Sequence, residues 1–475
     1  MTLANVPESE IADWQRLGFT HIWLMGVWSG GPRSRAKAME TAQQREEYAK
    51  ALPDCRDEDI AASPYAIADY VVPESLGGEA GLAQFRRRLN ERGLKLMLDF
   101  VPNHLGLDHL WLSERPELFV QSPAQVPGTF AQTTNTGVRW LAHGKDPYFS
   151  GWTDTVQLDY RLEATREAMT QLLTSIAGRC DGVRCDMAML VLDEVFAKTW
   201  QALPVASPGQ PQSRDEFWAR AISIVKKAHP DFLFLAETYW GLEPRLQELG
   251  FDYTYDKTLY DHLVGRHVPE VQSHLLGKGL QFVARSAHFL ENHDEPRIAP
   301  ILNPAEHRAA ALLILGLPGM RFLHQGQLSG AARRVPVQLI RAPEEPSRPE
   351  IQKLYEQLLN ILPRTSVGRG EVRLLESMPA WAGNPTAANI ALIQWQPSTP
   401  SEFDLVVVNF APHPSQCYAP VVVPPLPCGQ WRLQDLFGSE EYTRDTASLK
   451  EKGLFLDLPA HAAQLFHFTP DQPTP

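Results

Sequence analysis

Gly182-Val183-Arg184-Cys185-Asp186 reads as the end of a buried strand opening into a loop. Residues two apart on a strand share a face, so Arg184 and Asp186 can enter one site. A guanidinium beside a carboxylate keeps it ionised and oriented. That is what a carboxylate nucleophile must be. Taken alone, an Arg and an Asp at a strand end also make a structural ion pair, so the reading depends on the rest of the chain.

Outward from this stretch, strand and helix patterns alternate at spacings that suit parallel pairing. Candidate strands fall near residues 21, 67, 96, 182, 233, 253, 288 and 321, a (β/α)8 barrel count. Helical periodicity separates them, as in Leu82, Phe85 and Leu89 of the stretch 81–93. Active sites of such barrels lie at the C-terminal ends of strands, where Asp99, Asp186, Glu237 and Asp294 all fall. The predicted fold is an α/β TIM barrel over residues 1–365. A loop insertion, 105–156, follows the third strand. From about residue 366 the helical period stops, and short β-rich runs separated by Pro, Gly and Asn predict a C-terminal antiparallel β-sandwich over 366–475.

Composition narrows the functional classes. The 475 residues are 44% hydrophobic, enough for one large domain and a smaller one. With 44 Lys and Arg against 56 Asp and Glu, the net charge is −12 and no basic block appears, which argues against nucleic acid. No apolar run spans a bilayer, and the N-terminus lacks a basic region followed by an apolar core, so no membrane partner and a cytoplasmic location are expected. Five dispersed cysteines, Cys55, Cys180, Cys185, Cys417 and Cys428, without a CxxC pair read as reduced, buried small residues. Oligomeric state has no marker in the chain.

The chemistry sits in acids and histidines at strand ends: Asp186, Glu237, Asp294, His104 and His293. Glycosidic cleavage needs a protonated acid for the leaving oxygen and an anion near the anomeric carbon. Glu237 follows an apolar strand, Phe232 to Ala236, where desolvation favours the protonated form. Asp186, beside Arg184, is biased towards ionisation, so the two environments push the carboxyls towards different roles. In the insertion, Trp111, Trp140, Tyr148, Phe149 and Trp152 make either sugar platforms or the insertion's own small core.

On these residues the chain resembles the α-amylase family, glycoside hydrolase family 13. Asp99-Phe100-Val101-Pro102-Asn103-His104 fits DxVxNH, Gly182 to Asp186 fits GxRxD, Leu235-Ala236-Glu237 stands where the acid/base glutamate belongs, and Asn292-His293-Asp294 fits NHD. Gly18 to Leu24, Tyr65 with Asp69-Tyr70, Leu158-Asp159 and Gly316-Leu317-Pro318 match further. The resemblance implies a retaining glycoside hydrolase acting on α-1,4-linked glucans or short maltooligosaccharides: Asp186 as nucleophile, Glu237 as acid/base, Asp294 as transition-state stabiliser. Tyr65, Asp99, His104, Arg184 and His293 would contact the sugar.

Two departures stand out. Where the family often has Lys-His after the nucleophile, this chain has Met189 and Leu190, which removes charged donors and is expected to leave an apolar wall on the acceptor side. The last strand runs into His324-Gln325-Gly326-Gln327-Leu328, without the usual acid. A transglycosylase or a sucrose- or maltosyl-transfer enzyme on the same fold is the alternative. A non-catalytic barrel scaffold is a third reading, disfavoured because all three acids are kept. No cofactor is expected. Asn103 is a possible calcium ligand, but the insertion shows only scattered Asp108, Asp146 and Asp154, so calcium is not expected to be required.

Overall fold

The computed structural model describes residues 2–135, 137–205, 215–398, 401–426 and 429–471. Cys428 and most of the Pro-rich break expected at 204–211 lie outside the described residues. The chain forms two compact units, Met1–Tyr255 with Val335–Pro343, and Asp256–Arg334 with Glu344–Pro475.

In the first unit, five parallel strands lie in the order His21–Leu24, Lys95–Phe100, Gly182–Cys185, Leu233–Ala236 and Tyr253–Tyr255. A central strand of a parallel sheet is covered on both faces and so reads as a continuous apolar run. Leu96, Leu98, Phe100, Val183 and Phe234 are fully buried on that account. The register sets Arg184 between Asp99 and Leu235, and Cys185 between Phe100 and Ala236. Helices Gly78–Glu91, Glu163–Ala177 and Phe217–Ala228 cover the sheet with buried stripes, such as Leu82, Phe85 and Leu89 in the first of them.

The strand expected near residue 67 takes another course. Ile67–Asp69 pairs antiparallel with Ser29–Gly30. The physical reason lies in Tyr70: its hydroxyl donates to Val101 O at 3.2 Å and accepts from Val101 N at 3.0 Å, standing in for ladder bonds to that segment.

The insertion is closed at its base by the antiparallel pair His104–Gly106 and Thr155–Gln157. It carries a three-stranded sheet of Gln121–Ser122, Gly137–Ala142 and Thr129–Thr134. Of its aromatics, Trp111, Trp140 and Trp152 are partly buried, whereas Tyr148 and Phe149 are 60% and 74% exposed.

The second unit holds the parallel pair Ser286–His288 and Met320–Arg321 with helices Lys257–Gly265, Val268–Val283, Pro304–Gly316 and Pro349–Ile361. Beyond these lie a six-stranded and a three-stranded antiparallel sheet. Strand Phe403–Asn409 is buried along its whole length because both faces are used. Val406 and Val408 join the core of helix Pro304–Gly316, while Phe403, Leu405 and Val407 join the core between the sheets. Gly316 permits that approach: a Cβ there would stand 2.9 Å from Val406.

Cys55, Cys180, Cys185 and Cys417 are free thiols, and burial pushes that of Cys185 far above its ordinary pKa. Among the described residues no helix is long and apolar enough to cross a membrane.

Candidate active site

Arg184 is the centre of the site in the first unit. It is fully buried, and its guanidinium lies 5.3, 5.2 and 5.8 Å from the ring centres of Trp23, Tyr65 and Tyr255. Nη1 donates to Asp186 Oδ1 at 2.6 Å, and Nη2 stands 2.7 Å from Glu237 Oε2. Burial alone would favour the neutral base, but Glu237, the flanking tyrosines and Asp186 hold the pKa well above its usual value, so Arg184 stays cationic. One guanidinium therefore serves both carboxylates. Arg184, expected beside Asp186, thus stands beside Glu237 as well.

Backbone bonds fix the two acids to adjacent strand ends. Asp186 N donates to Phe100 O at 2.9 Å, and Glu237 N to Cys185 O at 3.0 Å. Ala188 N returns a bond to Glu237 O at 2.9 Å, and Met187 N donates to Glu237 Oε2 at 2.8 Å. Met187 adopts a left-handed conformation, φ +42°, to aim that amide. Such a conformation in a residue with a side chain costs on the order of 1–3 kcal/mol and persists only where its surroundings enforce it. The other oxygen, Oε1, accepts from the Tyr239 hydroxyl at 2.8 Å.

The DxVxNH stretch supports this centre. Asp99 is fully buried; its carboxylate accepts from Trp23 Nε1 at 3.1 Å and Gly26 N at 2.9 Å. It thereby braces the tryptophan that faces Arg184. His104 is buried, its ring 5.1 Å from that of Trp152, and burial pushes its pKa down to about 4, which leaves it neutral near pH 7.

Asp294 and His293 belong to the second unit. The Asp294 side chain is 47% exposed and its Oδ2 lies 3.0 Å from His293 Nε2. Asn292 Oδ1 accepts from the amides of Asp294 and Glu295, at 2.9 Å each, which fixes the turn. Buried Glu291 grips Arg297 at 2.6 Å, and Arg297 reaches Gln325 O at 2.7 Å.

The side chain expected to ligate calcium is engaged within the chain. Calcium takes six to eight oxygens at about 2.3–2.6 Å. Asn103 Oδ1, the expected donor, instead accepts from Gln157 Nε2 at 2.9 Å. The same nitrogen donates to Asn103 O at 2.9 Å and Leu158 O at 3.1 Å. An amide oxygen in its place would face three acceptors, so the network sets the orientation of this fully buried side chain. Of the carboxylates in and after the insertion, Asp108 accepts from the amides of Arg33 and Ser34, Asp146 from those of Tyr148 and Phe149, and Asp159 pairs with Arg161, while Asp154 lies within electrostatic reach of His104, its pKa raised by burial. No group of three or more His, Cys, Asp or Glu among the described residues is arranged to hold a metal.

Met189 and Leu190 pack in the core, 0% and 3% exposed, and form no apolar wall. Exposed aromatic surface appears instead at Trp240, 41% exposed, whose ring lies 4.9 Å from that of Tyr148. Tyr239, Trp240 and Gln157 escaped sequence reasoning. Only their spacing from Glu237 and Asp159 marked them, and that spacing carries no chemistry until the loops are folded.

Parallel strands that carry a cation-bridged Asp and Glu at neighbouring C-terminal ends define a barrel-type α/β protein with a carboxylate-pair centre. Comparison narrows the class. The family description "Alpha amylase, catalytic domain" matches residues 11–346, and the chain belongs to the α-amylase family. It is 25% identical over 284 residues to α-amylase MalA of Haloarcula japonica, covering 58% of this chain and 38% of that one. It is 22% identical over 299 residues to α-amylase 3 of Dictyoglomus thermophilum, covering 59% and 56%. The match thus spans well under two thirds of either relative. The fold of the whole chain is that of solved α-amylases, a TIM barrel with a C-terminal antiparallel β-domain. Maltogenic α-amylase AmyB from Thermotoga neapolitana superposes with a TM-score of 0.67 at 18% identity, over 97% of this chain and 93% of that one. The α-amylase of Geobacillus thermoleovorans in complex with acarbose gives 0.65 at 18% identity, over 99% and 93%.

Proposed function

We propose that this chain is a retaining α-glycosidase that hydrolyses α-1,4-linked glucans or short maltooligosaccharides. The observation that carries the reading is the single guanidinium shared by Asp186 and Glu237, 2.6 and 2.7 Å from their oxygens. Two carboxylates beside one guanidinium share a site, and a retaining pair is expected to stand roughly 5–5.5 Å apart there. Asp186 attacks the anomeric carbon while the glycosidic C–O bond breaks and Glu237 gives its proton to the departing oxygen. Glu237, now a carboxylate, takes a proton from water; the water oxygen bonds to the anomeric carbon and expels Asp186, with net retention. The family resemblance assigns Asp294 to stabilising the oxocarbenium-like transition state and His293 to holding a hydroxyl.

Transfer to a second sugar is the competing fate of the glycosyl-enzyme. Its support is the exposed Tyr148–Trp240 pair, since an aromatic face can hold a sugar ring after the Lys-His donors are lost. We assign net hydrolysis, with some transfer at high sugar concentration. At millimolar maltooligosaccharide, new reducing ends should outnumber rearranged or longer products. A product pool dominated by transfer with few new reducing ends overturns the assignment.

Calcium independence is part of the same proposal. The Gln157 amide links Asn103 to Leu158. Exhaustive chelation should therefore leave both activity and melting temperature unchanged. Gln157→Glu should reverse this: an isosteric carboxylate facing three oxygens repels them, so the variant should melt lower in chelator and recover with millimolar calcium. Loss of wild-type activity on chelation, restored by calcium, refutes the proposal.

A further inference from the structure

We propose that Tyr239 is a positioning residue that dictates which oxygen of Glu237 carries the catalytic proton and how tightly it is held. The inference rests on the reading of Glu237 as the acid/base. The two oxygens of Glu237 have different neighbours. Oε2 faces the Met187 amide at 2.8 Å and Arg184 Nη2 at 2.7 Å. Neither of these groups can accept a hydrogen bond, so a proton on Oε2 would point at donors. Oε1 faces the Tyr239 hydroxyl at 2.8 Å, and a phenol both donates and accepts. When Glu237 is a carboxylate, Tyr239 donates to Oε1. When Glu237 is protonated, the proton sits on Oε1, and the phenol turns its own hydrogen away and accepts until the leaving oxygen takes the proton.

The charged and titratable groups that face Glu237 include Tyr239 from its own loop, and Arg184 with Asp186 from the neighbouring strand end. Tyr65 and Tyr255 flank the shared guanidinium, and the Tyr255 hydroxyl lies 3.4 Å from Arg184 Nε. Among these, Tyr239 alone touches Oε1 through a group that can reverse its hydrogen-bonding sense.

Donation by Tyr239 favours the carboxylate form. Its removal should raise the pKa of Glu237 and move the alkaline limb of kcat/KM upward. A hydrogen bond to a charged group is worth about one to two pKa units, so Tyr239→Phe should shift that limb by roughly one to two pH units. A purely structural role would lower kcat/KM without moving the limb. Tyr239 replaced by 3,5-difluorotyrosine, a stronger donor of nearly the same shape, should move the limb the opposite way and keeps the test open if the phenylalanine variant folds poorly. An alkaline limb unmoved in both variants overturns the proposal. Glu237→Gln separates the two readings. If its residual activity keeps the alkaline limb, Glu237 is not the acid and the proposal falls with that assignment. If the limb vanishes in Glu237→Gln but ignores Tyr239, the proposal alone falls.

Discussion

Asp186→Ala is expected to lose about 10⁴–10⁶-fold in kcat on maltooligosaccharides, since removing the nucleophile of covalent catalysis has cost up to about 10⁶ where it was measured. The loss should be as large on an α-glucosyl fluoride, because a better leaving group does not replace a missing nucleophile. Asp186→Asn, which keeps an acceptor for Arg184 Nη1 but almost no nucleophilicity, should be equally inactive with a melting temperature close to wild type. This control matters because Arg184 is fully buried and loses one of two carboxylate partners in the alanine variant. Azide supplies the stereochemical proof. In Asp186→Ala it should enter the vacated space, attack the fluoride from the β face and yield the β-glucosyl azide. Activity within about tenfold of wild type, or an α-azide from this variant, would remove Asp186 from the role.

The acids were legible in the sequence because barrels put polar residues at the ends of apolar strands. Asp186 and Glu237 close two such runs, and the register places their strands side by side. The guanidinium that joins them was only half legible. Arg184 to Asp186 is a local relation along one strand, whereas Arg184 to Glu237 depends on which strand lies beside it. Tyr239 and Gln157 were silent for the same reason: a phenol or an amide acquires chemistry only when a folded loop gives it a partner. Met189 and Leu190 misled differently. Their apolar character was correct, but it serves the core and not an acceptor wall.

Fold legibility followed the clarity of the apolar period. Lys95–Phe100 and Leu233–Ala236 are largely apolar runs, and both lie where strands were expected, near residues 96 and 233. Ile67–Asp69 was expected in the parallel set, yet Tyr70 meets Val101 through its side chain. In the C-terminal sheets, Ile390–Gln396 and Leu454–Leu458 carry plain apolar patterns, whereas Glu441–Asp445 is a mostly exposed edge strand with no apolar face to mark it.

Glu237→Gln is expected to lose roughly 10²–10⁴-fold on ordinary glucans, the usual contribution of positioned acid–base catalysis. The amide keeps the shape of the carboxyl and can still accept from Met187 N, so the loss reports chemistry more than collapse of the loop. Two steps depend on this residue unequally. Glycosylation of Asp186 by a glucan needs the leaving oxygen protonated, because an alkoxide is a poor leaving group. Fluoride departs without that help, so glycosylation by α-glucosyl fluoride should fall far less. Deglycosylation still needs a base for water, and the glycosyl-enzyme should accumulate as a burst followed by slow turnover. Azide bypasses that base, being already an anion. It should speed turnover of Glu237→Gln on the fluoride and release α-glucosyl azide, the product of two inversions, opposite to the β-azide expected from Asp186→Ala. Equal losses in glycosylation on glucan and fluoride would reject Glu237 as the proton donor, and the alanine variant's azide product would then still decide the role of Asp186 independently.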